Sequence, residues 1–572
     1  MRLWGPIEAG SGTWRFTLWA PAQSEPQLEI EGADPIALIA AEGGWFHGDA
    51  EAAPGTRYRF RLDDGEAVPD PASRAQSGGV HGWSVVTDTL KHDWQTSGWS
   101  GRRWEEAIIQ EVHVGACGGF RGLADELPRL ADIGITAIEL MPVNAFGGTR
   151  NWGYDGVLPF APAESYGSPE DLCALIDRAH GLGLMVLLDV VYNHFGPDGN
   201  YLGAFAPDFF HAGVDTPWGS AVAVDQPAVA AYFRENALMW LEDYRFDGLR
   251  FDAVHAIGNT AFLDWLAGAI RKGTGPHRHV HLILENAHND AARLAPGLYD
   301  AQWNDDFHNV LHVLLTDETS GYYQDCADSP AGRLARCLSE GFIYQGEPSA
   351  NRGGKGRGTP SAHLPPTAFV SFLQNHDRIG NRAFGERLTL LTDGARLRTA
   401  TALLLLSPQI PLLFMGDERG SQSPFLFFTD FHDALADTVR EGRRRAFAKV
   451  DAFRDAADRA HIPDPNAGDS FAASRPQSGP DAAAWEACYR HLIGLRSRFI
   501  VPRLHGTTSQ GAEILGEKAV SASWRLGDGA SLMLAINLGA EAVDFPSGAG
   551  EPLFARGEMG APASFAAWFT PL

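Results

Sequence analysis

Lysine is nearly missing from this chain: it occurs only at Lys91, Lys272, Lys355, Lys449 and Lys518, and the remaining basic residues are arginine. That pattern reads as genome bias and carries no functional signal. Cysteine is scarce too. The five present, Cys117, Cys173, Cys326, Cys337 and Cys488, are odd in number, far apart and without a metal-ligand spacing, so they read as small buried residues in a reducing compartment. No apolar run is long enough to span a bilayer, the longest, Leu403 to Met415, being broken by Pro408 and Pro411. The start, Met1-Arg2-Leu3-Trp4-Gly5-Pro6, has no apolar signal core, and the expectation is a cytoplasmic protein with no membrane partner. Positive charge is also short. Lys plus Arg number 46 against 71 Asp plus Glu, a net charge of −25, which argues against nucleic acid and anionic lipid as partners and is indifferent to a neutral substrate. Tandem repeats and low-complexity tracts are absent.

What the chain does have is a set of apolar runs that each end in polar, chemically capable residues. In Asp247-Gly248-Leu249-Arg250-Phe251-Asp252-Ala253-Val254-His255 a short strand delivers an arginine and a carboxylate two positions apart. Side chains at that spacing share a strand face, so the Arg250 guanidinium is placed to favour the charged form of Asp252. Alone, such a pair reads as a surface ion pair at a strand end. It is not alone. His281-Leu282-Ile283-Leu284 runs into Glu285, Phe369-Val370-Ser371-Phe372-Leu373 into Gln374-Asn375-His376-Asp377, and Leu184-Met185-Val186-Leu187-Leu188 into Asp189 and then Asn193-His194. Continuous apolar runs of this length predict parallel strands buried on both faces, and polar groups past their ends then gather on one rim. In a (β/α)8 TIM barrel that rim carries the active site.

At 572 residues the chain has room for two to four domains. Alternating aromatic and polar positions, as in Trp14-Arg15-Phe16-Thr17-Leu18-Trp19 and Tyr58-Arg59-Phe60-Arg61-Leu62, predict an N-terminal β-sandwich over 1–93, its aromatics serving packing more than binding. The barrel is expected over 94–502, beginning at Ala107 to Val114, with helices near Leu123–Ile133, Pro169–Leu182, Gln226–Tyr244, Thr260–Lys272 and Ala482–Arg498 and an eighth strand supplied by Ile410 to Asp417. The excursion 417–481 exceeds ordinary loop length and is expected to face substrate or an interface. A C-terminal antiparallel β domain is expected over 503–572.

Four blocks carry a family resemblance: Asn151-Trp152-Gly153-Tyr154-Asp155-Gly156-Val157, Leu188-Asp189-Val190-Val191-Tyr192-Asn193-His194-Phe195-Gly196-Pro197, Arg250 to Ile257, and Gln374 to Arg382. The chain resembles the alpha-amylase family of glycoside hydrolases and transferases, and within it the trehalose-releasing branch. The resemblance implies a starch-binding-like module before the barrel, Asp252 as nucleophile, Glu285 as acid/base and Asp377 as the third carboxylate, acting with retention on maltooligosyltrehalose or a related α-glucan. Leaving an apolar run, Glu285 is also the carboxyl expected to hold its proton. For substrate binding the resemblance points to Tyr154 as a platform under the ring, with Asp155, Arg250 and Asn375 beside it, His194 and His376 as neutral donors, Trp218 as a cover, and His255, Asp305, Asp306, Phe307, His308 and Arg378 on the leaving-group side. No metal and no cofactor are called for, and the oligomeric state is left open. The Asp305-Asp306 pair could instead be a helix N-terminus cap. Two departures from the family pattern are Arg378, where Gln is expected, and Asp417-Glu418-Arg419, where Glu-Glu-Trp is expected; both are expected to bear on affinity at the substrate's ends. The alternatives are a debranching or branching enzyme, and a catalytically inactive glycan-binding protein.

Overall fold

The computed structural model describes residues 3–10, 12–88, 91–449, 453–548 and 550–572; Met1 and Arg2 of the opening hexapeptide lie outside them. Eight parallel strands close into a barrel in sequence order: β1 (Ile109–Val112), β2 (Ala137–Leu140), β3 (Met185–Val190), β4 (Gly248–Phe251), β5 (His281–Leu284), β6 (Ala301–Trp303), β7 (Phe369–Phe372) and β8 (Ile410–Phe414). β8 returns to β1 through the pairs Ile109↔Leu412 and Glu111↔Phe414. Every strand residue is buried, as expected where helices cover the outside and side chains fill the inside.

Strand periodicity sorts the barrel interior into layers. Low in the barrel the inward residues Ile109, Ala137, Met185, Leu187, Ile283, Ala301, Val370, Phe372, Ile410 and Leu412 form one apolar cluster. Two positions further along the same strands, on the same face, stand Glu111, Glu139, Asp189 and Glu285, so the interior passes from hydrocarbon to charge on the way up to the C-terminal rim.

The N-terminal region is two packed antiparallel sheets. Trp14, Phe16, Leu18, Tyr58 and Phe60 are buried inside it, so these alternating aromatics build core. Trp4 fastens it to the barrel: its indole meets Tyr232 edge-on at 4.8 Å, and its backbone N–H donates to Glu235 at 3.0 Å, both on the helix Pro227–Leu238. At the other end a five-stranded antiparallel sheet packs against the barrel helices Pro330–Glu340 and Gly394–Leu406.

Two helices differ from the sequence expectation. That read over Gln226–Tyr244 is α-helical only to Leu238 and widens over Met239–Asp243. The last barrel helix runs Ala482–Leu495 and then widens over Arg496–Ile500, because the buried Arg496 turns inward to donate to the carbonyls of Leu405 at 3.1 Å and Gln409 at 2.6 Å. The excursion after β8 includes a helix, Asp433–Ala446, that leans over the barrel mouth.

Candidate active site

A cleft of about 820 Å³ opens at the C-terminal rim of the barrel. Its floor is organised by Arg250, whose side chain is only 3% exposed. One guanidinium nitrogen donates to Asp189 at 2.6 Å and to Asp252 at 2.8 Å, and the other lies 3.4 Å from Glu285. The guanidinium also stacks on the Trp303 ring at 4.2 Å. The chain can present these groups together because Asp189↔Arg250 and Arg250↔Ile283 are register partners, so Asp252 and Glu285 each sit two residues beyond a member of one row.

Local backbone fixes the two carboxylates. Ala253 adopts φ 40°, a left-handed conformation that costs a non-glycine residue roughly 1–3 kcal/mol, and it aims its N–H at Glu285 Oε2 at 2.7 Å. Asn193 Nδ2 holds Asp252 Oδ2 at 3.0 Å. Burial, reinforced by the carboxylates of Asp252, Asp305 and Asp377 and opposed by Arg250, pushes the Glu285 carboxyl well above the ordinary range. The same surroundings favour the protonated form of Glu285.

Asp377 closes the third side, its Oδ1 accepting from Asn381 at 2.5 Å. Asn375 caps the short helix His376–Gly380 by accepting from the Arg378 N–H at 2.9 Å. Tyr154 reaches the floor from a turn that only glycine permits: Gly153 has φ +102°, and a Cβ there would meet the Pro142 carbonyl at 2.2 Å. The Tyr154 hydroxyl donates to Asp189 at 2.6 Å and its ring stacks on His376 at 5.0 Å. On the opposite rim Trp218, 49% exposed, lies over His194 at 5.7 Å. Arg378 pairs with Asp305 at 2.7 Å and stands over Tyr322 at 5.3 Å.

Residues 75–205 match the family model described as "Alpha amylase, catalytic domain", and residues 507–568 match a domain of unknown function, DUF3459. Over 549 residues the chain is 39% identical to a malto-oligosyltrehalose trehalohydrolase of Deinococcus radiodurans, covering 91% of this chain and 89% of that one. With the protein of the same name from Rhizobium sp. (strain M-11) it shares 40% over 515 residues, 85% of each chain. The chain belongs to the malto-oligosyltrehalose trehalohydrolase family. A crystal structure described as a putative alpha amylase from Salmonella typhimurium superposes with a TM-score of 0.94 at 44% identity over the whole of both chains.

Most of the residues singled out from the sequence line the cleft of this trehalohydrolase-family chain: Tyr154, Asp155, His194, Trp218, Arg250, Asp252, His255, Glu285, Asp305, Asn375, His376, Asp377 and Arg378. Asp306, Phe307 and His308 do not. They belong to the helix Asp305–Thr316, where positions four apart share a face; Asp305 and Asn309 look into the cleft while the three between them turn into the wall. Asp306 is fully buried against Arg357 at 2.8 Å, Phe307 is core, and His308 is spent on the Leu373 carbonyl at 2.6 Å. The alternative reading of Asp305-Asp306 as a helix cap is not met: the N-cap position is Asn304, no side chain caps the helix, and the two acids are its first helical residues.

Two further expectations change. His376 was read as a neutral donor; burial disfavours its cation, but the Glu111 carboxylate against Nδ1 outweighs that and raises its pKa, whereas burial keeps His194 neutral. Asp417-Glu418-Arg419 does not approach the cleft. Asp417 accepts from Gln374 at 2.5 Å and from the Phe414 N–H at 3.0 Å, bracing the segment before His376, and Glu418 is buried against Gln110 at 2.8 Å and Arg129 at 2.7 Å.

Sequence reading missed Tyr322, Asn351, Arg352, Arg357, Phe427 and Arg443, all on the cleft wall. Only Asn309 carried a usable signal, its spacing from Asp305. Among the described residues no group of three or more His, Cys, Asp or Glu side chains is placed to hold a metal ion, and no helix among them is long and apolar enough to cross a membrane.

Proposed function

We propose that this protein hydrolyses the α-1,4-glucosidic bond joining a maltooligosaccharide to its terminal trehalose unit, releasing trehalose with retention of configuration. The observation that carries the reading is one buried guanidinium gathering Asp252 and Glu285 at the rim, in surroundings whose burial and neighbouring carboxylates raise the pKa of the second. Cleaving an acetal requires a proton for the leaving oxygen and a carboxylate to trap the oxocarbenium-like centre. Glu285 supplies the first and Asp252 the second; Glu285, once ionised, draws the proton from the water that resolves the glycosyl-enzyme. Asp377 grips ring hydroxyls and bends the sugar toward the transition state, while Tyr154 and His376 form a stacked surface beneath it.

Family membership and the Asn151 to Val157 block support trehalose as leaving group over the branching and debranching alternatives. On that side of the cleft stand paired charges, Asp305 with Arg378, together with Tyr322, His255 and Arg443. The second ring of trehalose, folded back by its α,α-1,1 linkage, presents hydroxyls that these groups can pair, and a maltose unit in the same place leaves some unpaired. Incubation with maltooligosyltrehalose, maltooligosaccharide and branched glucan, with the released sugars identified, tests the reading: trehalose from the first substrate and little from the other two is expected. Equal efficiency on plain maltooligosaccharide would reduce it to a general α-glucan hydrolase.

A further inference from the structure

Directly beneath the Arg250 row lies a carboxyl for which the reaction as described has no use. Glu139 on β2 is 1% exposed, and neither of its carboxylate oxygens has a hydrogen-bond partner. One layer up, on the adjacent strand, Asp189 gives Oδ2 to both Tyr154 and Arg250 at 2.6 Å, while its Oδ1 is likewise buried and unpartnered. Leu187 is the register partner of Glu139, so Asp189 is the inward residue two positions above it. A buried polar atom without a partner costs about 1–3 kcal/mol, and a proton held between two such carboxyl groups relieves that cost for both.

We propose that Glu139 and Asp189 share one proton, directly or through a single buried water, and that this pair positions Asp252 by fixing Arg250 from behind. The groups facing Glu139 leave little alternative. Glu111, opposite it on β1, is occupied by the His376 N–H at 2.9 Å and by the His376 ring. Arg250 is already divided among Asp189, Asp252 and Glu285. An ionised Glu139 would add a fourth carboxylate to a row whose one guanidinium already faces three, its buried Nε being without a partner; burial first, then Asp189 and Glu111, hold Glu139 in the acid form against the pull of Arg250. As a carboxylic acid it is the donor that Asp189 Oδ1 lacks. The sequence Glu139–Asp189–Arg250–Asp252 then runs from the barrel interior to the reacting centre, and Glu139 is a positioning residue, remote from the substrate.

The inference rests on the reading of Asp252 as nucleophile, so Asp252→Asn is the control that tests that reading separately. Glu139→Leu removes the donor at similar volume: kcat on maltooligosyltrehalose falls by about tenfold or more, KM moves less than about twofold, and the pH profile changes, since the loss amounts to one hydrogen bond to a charged group. Glu139→Gln restores a donor, the amide N–H, and recovers kcat to within about threefold. Infrared difference spectra of the intact protein at neutral pH show a protonated-carboxyl carbonyl band in the parent that is lost in Glu139→Gln. Wild-type kcat and pH profile in Glu139→Leu, or equal damage from Leu and Gln, would overturn the proposal. If the Leu variant does not fold, the infrared band decides: no band lost in the Gln variant means no shared proton. An active Asp252→Asn would sink the nucleophile reading, whatever Glu139 does.

Discussion

The floor of the cleft and the wall proposed to hold the leaving group are built by different means. On the floor Asp189, Arg250, Asp252 and Glu285 are each on a barrel strand or one residue past its end, and the register of β3, β4 and β5 aligns them. On the wall the groups come from the first turn of one helix (Asp305), the short helix after β7 (Arg378), the segment around Tyr322 and the helix Asp433–Ala446 (Arg443), and side chains tie them together: Arg378 holds Asp305 and covers Tyr322, and Arg443 donates to the carbonyls of Gly380 and Arg382. Strand-borne groups are held by the whole barrel and suit chemistry that tolerates little displacement. Loop- and helix-borne groups can vary without disturbing that chemistry, and so suit the choice of substrate.

The largest effect that divides the two regions is loss of the nucleophile. Asp252→Asn is close to isosteric and keeps the Asn193 and Arg250 neighbourhood, so turnover falls by roughly a thousandfold or more while the melting temperature stays near that of the parent. Activity on maltooligosyltrehalose and a thermal melt, read side by side, check it; a normal rate would remove Asp252 from the floor.

Next comes the acid. Glu285→Gln cannot protonate the leaving sugar, and kcat falls by roughly 10²–10⁴, with recovery on aryl glycosides whose leaving groups need no proton. The pH dependence follows in sign from the raised pKa: the protonated form is the active one, so activity holds through neutral pH and falls as pH rises through the folded pKa. A wild-type profile measured as kcat/KM against pH that fell instead on going from acid to neutral would contradict it.

These two residues were legible in the sequence because strand chemistry is local. An apolar run, its parity and the polar residue at its end are written within nine positions, and the parity that puts Ile109 inward also puts Glu111 there. The wall was legible only where it touched such an end. Asp306, Phe307 and His308 follow directly on Asp305, yet helical phase, set by the packing of Asp305–Thr316 against the barrel, turned them away. Arg443 lies in a helix 66 positions beyond Asp377 whose approach depends on the path of the whole excursion, and no local pattern encodes that path.

Asp306 therefore gives the third test, in which the measured quantity changes. Its carboxylate is buried with Arg357 and also accepts from Asn289 at 2.9 Å and from the Ile343 N–H at 2.9 Å. Asp306→Ala leaves a buried guanidinium without its anion and costs about 3–5 kcal/mol of stability, visible in denaturant unfolding. Because Arg357 lines the cleft, substrate preference shifts as a consequence of that loss. Unchanged stability would mean that Asp306 is not part of the wall's support.

Arg378 is the test of the wall itself. Its guanidinium is nearly buried, fixed by Asp305 and stacked over Tyr322, and it stands where a glutamine is expected in this family. Glutamine could accept and donate single hydrogen bonds there, but it could neither neutralise Asp305 nor cover the tyrosine ring, so the arginine supplies a rigid ion pair that an amide would not. If that pair holds the second ring of trehalose, Arg378→Ala lowers kcat/KM on maltooligosyltrehalose by roughly five- to a hundredfold, the range of one unmet hydrogen bond. On plain maltooligosaccharide the same change is smaller, because that substrate offers the wall fewer hydroxyls to lose. The ratio of the two efficiencies isolates the wall from the floor, since any disturbance of Asp252 or Glu285 enters both alike and cancels. A ratio unmoved by Arg378→Ala would return substrate choice to the floor and end the division of labour between the two regions.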